Sequence, residues 1–473
     1  MNTRLKFPVF LAALVSAVLV PAIPAADLSP AELERRTVER RAVESVIWGL
    51  PVVNADLLLQ QMLTKTTGKV NEVLFWSRPA DDNNRTLTPN PDDIYFLVFF
   101  DTKTAGSMVI ELPPADTGSL AGSIMTAWQL PVVDVGPDGE DKGKGGRYLI
   151  QSPDWDGPPP HGGILLAIDT YSGVAVLRSH LASHSEEDIA KAIAYGKRIK
   201  VYPYAVVDTP PPTKFSDAAG VVFDSAIRYD LGFFESLNRY VQSEPWLPRD
   251  RAMIEMLKSI GIERGQPFAP DAEKQKILEA AVREAQLLLD SRYAAGLPEF
   301  NPGLHWTLPV APDLSAADGI AYTDSEKYPV NSRGLGHTYA VGDNRHAPAS
   351  QFSLISIRDK DGDAYDGAKN YRLHVPASPP VRGYWSVTAY DREKHTVIPG
   401  LPYASRSSDL LGLNKNADGS VDIYLGPKAP AGQQANWLPT DPQGKFELIV
   451  RFYGPEKPLL AKTWKLPDVE KAP

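Results

Sequence analysis

Two blocks of short apolar runs, cut by Pro and Gly, constrain this chain more than any other feature. The first runs from Val73 to about Arg178 and holds "IYFLVFF", "SMVIEL", "RYLIQS", "GILLAID" and "VAVLRS". The second, Ser350 to Trp464, holds "SQFSLISIRD", "NYRLHVP", "GYWSVTAYD", "VDIYLG" and "KFELIVRFYG". Runs of this length, bounded by turn residues, predict strands, and their spacing suits a sandwich or jelly roll. The stretches between the blocks, such as "VVFDSAIRYDLGFFESLNRYVQ" and "DAEKQKILEAAVREAQLLLDSRYAAG", alternate apolar and charged residues at helical spacing.

These patterns predict an α+β protein, with a β-rich N-terminal domain, a helical connector and a C-terminal jelly-roll-like β-sandwich. The expected divisions are 1–25, a signal peptide; 26–72, N-terminal helices; 73–205, the first β domain; 206–349, a Pro-rich linker and helical connector; and 350–473, the second β domain. Within 26–72, Ser29-Pro30-Ala31-Glu32 has the form of a helix start, and "GLPVVNADLLLQQML" reads as a break followed by a second helix. "VVDTPPPTKFSD" reads as linker.

Arg4 and Lys6, an apolar stretch from Phe7 to Val20 and the small residues Ala22, Ala25 and Ala26 have the pattern of an export signal, too short for a comfortable membrane span. The expected address is periplasmic or secreted, with no membrane anchor after cleavage. The chain has no cysteine, which removes disulfides, thiolate catalysis and Cys-ligated zinc from consideration. Its net charge is −9, and loss of Arg4 and Lys6 makes it two units more negative. Nucleic acid is a poor partner for such a surface. The expected partner is a small molecule or carbohydrate, and homo-oligomerisation stays open.

Hydrolase elbows, metalloprotease helices, Walker loops and dinucleotide fingerprints are missing. "SHLASH" sets His180 and His184 four apart, but with no local third ligand the pair reads as helix-start histidines and no metal is assigned. "DKDGDAYDG" (359–367) has the acid density of a calcium loop without the spacing of an EF-hand, and Asp-Gly favours a hairpin turn. No cofactor is expected. In "TLTPNPDDIYFLVFFD", Asp92 and Asp93 close a Pro-fixed turn ahead of an apolar strand. Because successive strand residues face opposite ways, at most one of these acids is expected to act in a site.

"TPNPDDIY", "GGRYLI…SPDW" and "VLRS…DIAKAIAYGKRIKVYPY" resemble the bacterial domain of unknown function 1254. "DGDAYDGAKNYRLHVP…PPVRGYWSVTAYD", "NADGSVDIYL" and "NWLPTDPQGKFELIVRFYGP" resemble its usual C-terminal companion, domain of unknown function 1214. The resemblance supplies no reaction. It singles out Asn90, Asp92, Tyr95 and Arg178, then Trp385, Asp391, Asn436, Trp437 and Arg451; the family's NPDT turn is NPDD here, which leaves Asp92 as the acid of interest. "YPVNSRGLGHTYAVG" adds Arg333 and His337 in what reads as an irregular segment lining an interdomain cleft.

The leading expectation is a metal-independent hydrolase acting on a small organic or glycosidic substrate. Asp92 and His337 would move protons, Arg178 and Arg333 would hold an anionic group, and Asn90, Tyr95, Trp385 and Trp437 would complete the binding wall. A non-catalytic carbohydrate- or small-molecule-binding envelope protein is the alternative. A lyase or isomerase would use the same acid–base residues.

Overall fold

The computed structural model describes residues 28–309, 327–341 and 351–472. The expected export signal lies outside the described residues, as do two parts of the connector. Ser29 caps α1 (Pro30–Lys65) by accepting from the Glu32 amide, with Pro30 in the first turn. The expected break at Pro51 does not occur: α1 runs on for 36 residues. Proline at 51 leaves the Ile47 carbonyl without its helical donor. The helix tolerates this because it is buried among other helices, and Gly334 packs onto that carbonyl so closely that a Cβ there would stand 2.4 Å from the oxygen.

The first β block forms two packed sheets. One has the order β11-β1-β3-β9-β5-β6, built from β1 (Val73–Phe75), β3 (Asp93–Asp101), β5 (Ala121–Thr126), β6 (Pro131–Val135), β9 (Ser172–His180) and β11 (Phe215–Asp217). The other has the order β10-β4-β7-β8, from β4 (Met108–Leu112), β7 (Gly146–Gln151), β8 (Ile164–Ala167) and β10 (Lys200–Pro203). A short pair, β2 (Asn84–Arg85) and β12 (Phe223–Asp224), lies beside them. The stretch read as Pro-rich linker thus contributes β11, which pairs parallel to β1. Phe96, Val98, Ile110, Tyr148 and Leu177 fill the space between the sheets.

Between the β blocks come α4 (Leu231–Ser243), α5 (Arg251–Leu257), α6 (Ala272–Ala295) and α7 (Val330–Tyr339), all packed on α1. The segment expected to be irregular around Arg333 and His337 is the helix α7. Asn54 of α1 holds its end by donating to the carbonyls of His337 and Ala340.

The second block is a sandwich of two four-stranded sheets. One is β13-β19-β15-β16, from β13 (Gln351–Ser356), β15 (Trp385–Asp391), β16 (Ser405–Ser407) and β19 (Phe446–Tyr453). The other is β18-β17-β14-β20, from β14 (Tyr371–Val375), β17 (Val421–Gly426), β18 (Trp437–Pro439) and β20 (Glu470–Lys471). Leu354, Val387 and Val450 of the first sheet meet Leu373, Ile423 and Leu425 of the second in one core. The acid-rich turn at 359–363 holds the Lys471 ammonium, 3.4, 3.0 and 2.6 Å from Asp359, Asp361 and Asp363.

The short α3 (Glu186–Gly196) leads directly out of the loop that carries His184, so its seat on the sheet fixes where that histidine can stand. Its last residue lies against β3: a Cβ on Gly196 would stand 2.0 Å from the Phe96 ring. Gly196→Ala is therefore expected to destabilise the fold by about 1–3 kcal/mol in urea unfolding, as overpacking does; an unchanged midpoint would refute this close seat for α3.

Candidate functional site

The Thr86–Asp93 turn reaches across from the first β block into the second. Its backbone is held there from several sides. The Tyr390 hydroxyl donates to the Pro89 carbonyl (2.7 Å), Arg451 Nη2 to the Thr88 carbonyl (2.9 Å), and the Thr88 hydroxyl to the Tyr339 carbonyl (2.8 Å). Within the turn, the Asn90 side chain accepts from the Asp92 amide and the Tyr95 hydroxyl accepts from the Asn90 amide. Both aspartates that close the turn are buried, at 0% and 3% exposure.

Each carboxylate faces a histidine. Asp92 Oδ1 stands 3.2 Å from His184 Nε2, near enough for an ion pair without the geometry of a hydrogen bond, and its Oδ2 accepts from the Ser405 hydroxyl at 2.9 Å. Asp93 Oδ1 is 3.4 Å from His180 Nδ1, and Asp93 Oδ2 accepts from the Asn90 side-chain Nδ2 at 2.7 Å and from the Tyr453 hydroxyl at 3.4 Å. On its other side, His180 Nε2 lies 3.0 Å from Asp409 Oδ2. The His180 ring stacks on Tyr384 at 3.7 Å between centroids, and Tyr384 stacks on Tyr453 at 4.2 Å.

The local sequence explains these positions. Asp93 and Tyr95 pair in register with His180 and Arg178 across β3 and β9, so alternation puts all four on one face. His184 lies one residue before Ser185, the N-cap of α3, and its backbone is left-handed (φ 58°). Asp188 of the first helical turn fixes that loop by accepting from the amides of Ser183 and His184. A non-glycine residue held in this region stores strain of order 1–3 kcal/mol, tolerated where the surroundings enforce it.

Charge is distributed unevenly. Burial by itself would lower the His180 pKa, but the hydrogen bond to Asp409 and the contacts with Asp93 outweigh it and raise it to about 9. Burial would raise Asp93, yet His180, then Arg178 and Asn90, hold it below the usual carboxylate range. Arg178 donates to the Gln351 side chain and sits over the Tyr95 ring; Arg451 donates to the Tyr390 hydroxyl. Arg406, beside Ser405, lies over the Tyr403 ring at 3.5 Å, and burial lowers its pKa. None of these three arginines has a carboxylate partner among the described residues.

Of the residues expected from sequence, Asn90, Asp92, Tyr95 and Arg178 come together here. Trp437 approaches from the side, edge-on to Tyr403 at 6.0 Å. Trp385 belongs to the sandwich core and is 4% exposed. Arg333 and His337 belong to a different cluster on α7. Arg333 lies 4.5 Å from the Trp128 ring centroid, with Asp250 nearby, and the His337 Nδ1 faces the Arg333 carbonyl at 2.9 Å. Burial lowers the His337 pKa to about 4. An interdomain cleft shared by Asp92 and His337 is therefore not what their contacts describe: α7 packs into the helical layer. Sequence reasoning set aside Asp93, His180 and His184 and missed Ser405 and Asp409. The available signal was the four-residue histidine spacing at the end of the strand that pairs with the NPDD turn. Among the described residues, no group of three or more His, Asp or Glu side chains is arranged to hold a metal ion.

Residues 70–203 match the family model described as Protein of unknown function (DUF1254), and residues 350–457 match Protein of unknown function (DUF1214). Both Asp–His pairs fall in the first segment, and Tyr384, Ser405, Asp409 and Tyr453 in the second. No curated protein matches the chain. Among solved structures, the VPA0106 protein from Vibrio parahaemolyticus is similar over 92% of this chain and 100% of its own, at 18% identity and a TM-score of 0.58, a likeness of fold. An uncharacterized protein from Burkholderia cenocepacia aligns over 93% of this chain and 95% of its own, at 12% identity and a TM-score of 0.40.

The two histidine shifts have opposite signs in stability. His180 is raised, so its contribution is complete below about 6.5 and is lost as pH rises through about 9. Relative to His180→Gln, the wild type is expected to lose on the order of 2 kcal/mol of unfolding free energy across that window, allowing for solvent screening. His337 is lowered, so its contribution is present above about 6.5 and is lost as pH falls toward 4. Urea unfolding from pH 4 to 10 on the wild type, His180→Gln and His337→Gln measures both slopes. Parallel curves for all three proteins would contradict the assignment.

Proposed function

Because the chain belongs to the two-domain family of unknown function in which DUF1254 is followed by DUF1214, and membership supplies no reaction, we propose from the site itself an acid–base enzyme, hydrolytic, acting on a small organic substrate that bears an anionic group. The observation that carries this reading is His184 held in a left-handed backbone in front of the buried Asp92. A carboxylate at Nε2 favours the tautomer with hydrogen on that nitrogen, leaving the Nδ1 lone pair to accept a proton.

In this reading His184 takes a proton from water as the water oxygen bonds to an acyl carbon. It returns the proton to the leaving oxygen as the acyl–oxygen bond breaks. Asp92 has no exposed surface, so its part is to position His184 and stabilise its cation rather than to exchange the proton itself. His180, cationic at neutral pH and partly exposed, would face developing negative charge. Arg178, lacking a carboxylate partner among the described residues, would hold the anionic group.

An ester or lactone suits this arrangement better than a glycoside. Glycoside hydrolysis commonly uses two carboxylates that reach the sugar from either side, whereas both aspartates here are buried behind histidines. Proton abstraction beside a carbonyl, the lyase or isomerase alternative, would use the same His184 base. Simple binding without turnover is favoured by a different observation: His180 is flanked by carboxylates at both ring nitrogens, as in a closed structural network.

Purified protein assayed on ester, lactone, glycoside and phosphate ester panels tests the reading. Turnover is expected on carboxylate-bearing esters or lactones, falling about 10²–10⁴-fold in His184→Gln with the fold intact. Asp92→Asn is expected to lower kcat more than it raises KM. Full activity in His184→Gln, or ligand retention with no turnover on any panel, would defeat the hydrolytic reading, and the second result would favour the binding one.

A further inference from the structure

β3 and β9 run side by side from the Asp93–His180 pair at one end to the Asp101–Ser172 pair at the other, about 27 Å away. That far end opens into a cavity of about 410 Å³, walled by α1, the strand ends and α4. Its volume falls in the range of small-molecule sites. Leu59, Phe99, Ala127 and Val174 supply apolar wall, and Tyr171 and Tyr240 add aromatic rings.

The polar groups at this cavity are not balanced. Asp56 is neutralised by Arg239, which reaches it at 2.6 Å. Asp101 and Glu244 have no cationic side chain paired with them among the described residues. Asp101 caps the short α2 (Thr102–Ala105), and Glu244 accepts from the amides of Tyr171 and Ser172 and from the Ser172 hydroxyl. Glu244 is 3% exposed; burial and then the Asp101 charge raise its pKa. Among the described residues lining the cavity wall, the one unneutralised base is Lys103; Arg264, held by the Val241 and Glu244 carbonyls, stands behind Tyr171. The Lys103 ammonium sits over the Tyr171 ring, 5.3 Å from the centroid, and donates to the Ser243 carbonyl at 2.7 Å. Along the cavity wall, two carboxylates without a cationic partner stand against one ammonium, and just behind it Arg264 is offset by Asp154, which accepts from the Tyr171 hydroxyl. The exposed Lys103 side chain already makes two of the contacts that an ammonium would make there, an aromatic face and a carbonyl oxygen.

We propose that this cavity binds a small organic cation, an apolar body carrying an ammonium group, with Lys103 occupying the ammonium position when the ligand is absent. The apolar body lies on the Phe99 and Val174 wall. The cationic head takes the place of the lysine over Tyr171, beside Asp101 and Glu244. This site is separate from the Asp92–His184 pair and does not depend on the proposed hydrolysis.

Calorimetry with benzyltrimethylammonium, benzyl alcohol and toluenesulfonate as probes tests it. The cation is expected to bind the full chain more tightly than either of the others. Its affinity should fall about fivefold in Asp101→Asn, which keeps the helix cap while removing the charge. It should rise about fivefold in Lys103→Ala, which removes the competing ammonium. Asn238→Trp at the rim should abolish it without changing Tm. Equal binding of benzyl alcohol would make the site merely apolar. Sulfonate binding that weakens in Lys103→Ala would make it an anion site. No heat with the cation up to about 10 mM would remove the site altogether. Each of these three results overturns the proposal.

Discussion

Burying two adjacent carboxylates is the constraint on which the rest of the structure turns. A buried charge left without partners costs several kcal/mol, so Asp92 and Asp93 must be answered wherever the chain puts them. The partners come from both halves. Asp92 faces His184 from the first β block and Ser405 from the second. Asp93 faces His180 from the first and Tyr453 from the second. Separating the blocks would strip each acid of a partner while leaving its histidine in place. The junction is therefore a shared electrostatic environment rather than two faces resting together.

Strain gathers around the same turn. Thr88, His184 and His395 all have positive φ without being glycine, and the Thr88 amide donates to the His395 carbonyl. His395 in turn contacts the buried Glu447 at 2.8 Å, which also accepts from the Tyr293 hydroxyl of α6. The helical layer, the sandwich and the first β block thus meet at a few strained residues. Such concentration is common where geometry must be held for a task.

Much of the architecture was legible in the sequence. Strand-length apolar runs and helical spacing gave the α+β order, and Ser29-Pro30 gave the start of α1. Pro51 misled because local propensity cannot anticipate a helix buried on many sides, with Gly334 filling in beside the freed carbonyl. Arg333 and His337 misled because a Gly-containing stretch reads as irregular until α1 is there to pack against it. At the site, Asn90, Asp92, Tyr95 and Arg178 were found because they lie on the turn and its strand. Their histidine partners sit about 90 residues downstream, and only the β3–β9 register joins them. Asp93 was set aside because alternation allowed one acid and the family's NPDT turn has no acid at that position; alternation is a rule for strands, whereas Asp92 still belongs to the turn and Asp93 opens the strand. Ser405 and Asp409 belong to the other block, beyond the reach of any local pattern.

Histidine-selective NMR across pH tests the central claim most directly, since it reads the ring of His180 itself. If buried Asp93 and partly exposed Asp409 hold that imidazole as a cation, its resonances titrate near 9 in the wild type and move toward 6.5 in both Asp93→Asn and Asp409→Asn. A His180 titration already near 6.5 in the wild type, or one unmoved by either substitution, would contradict the account.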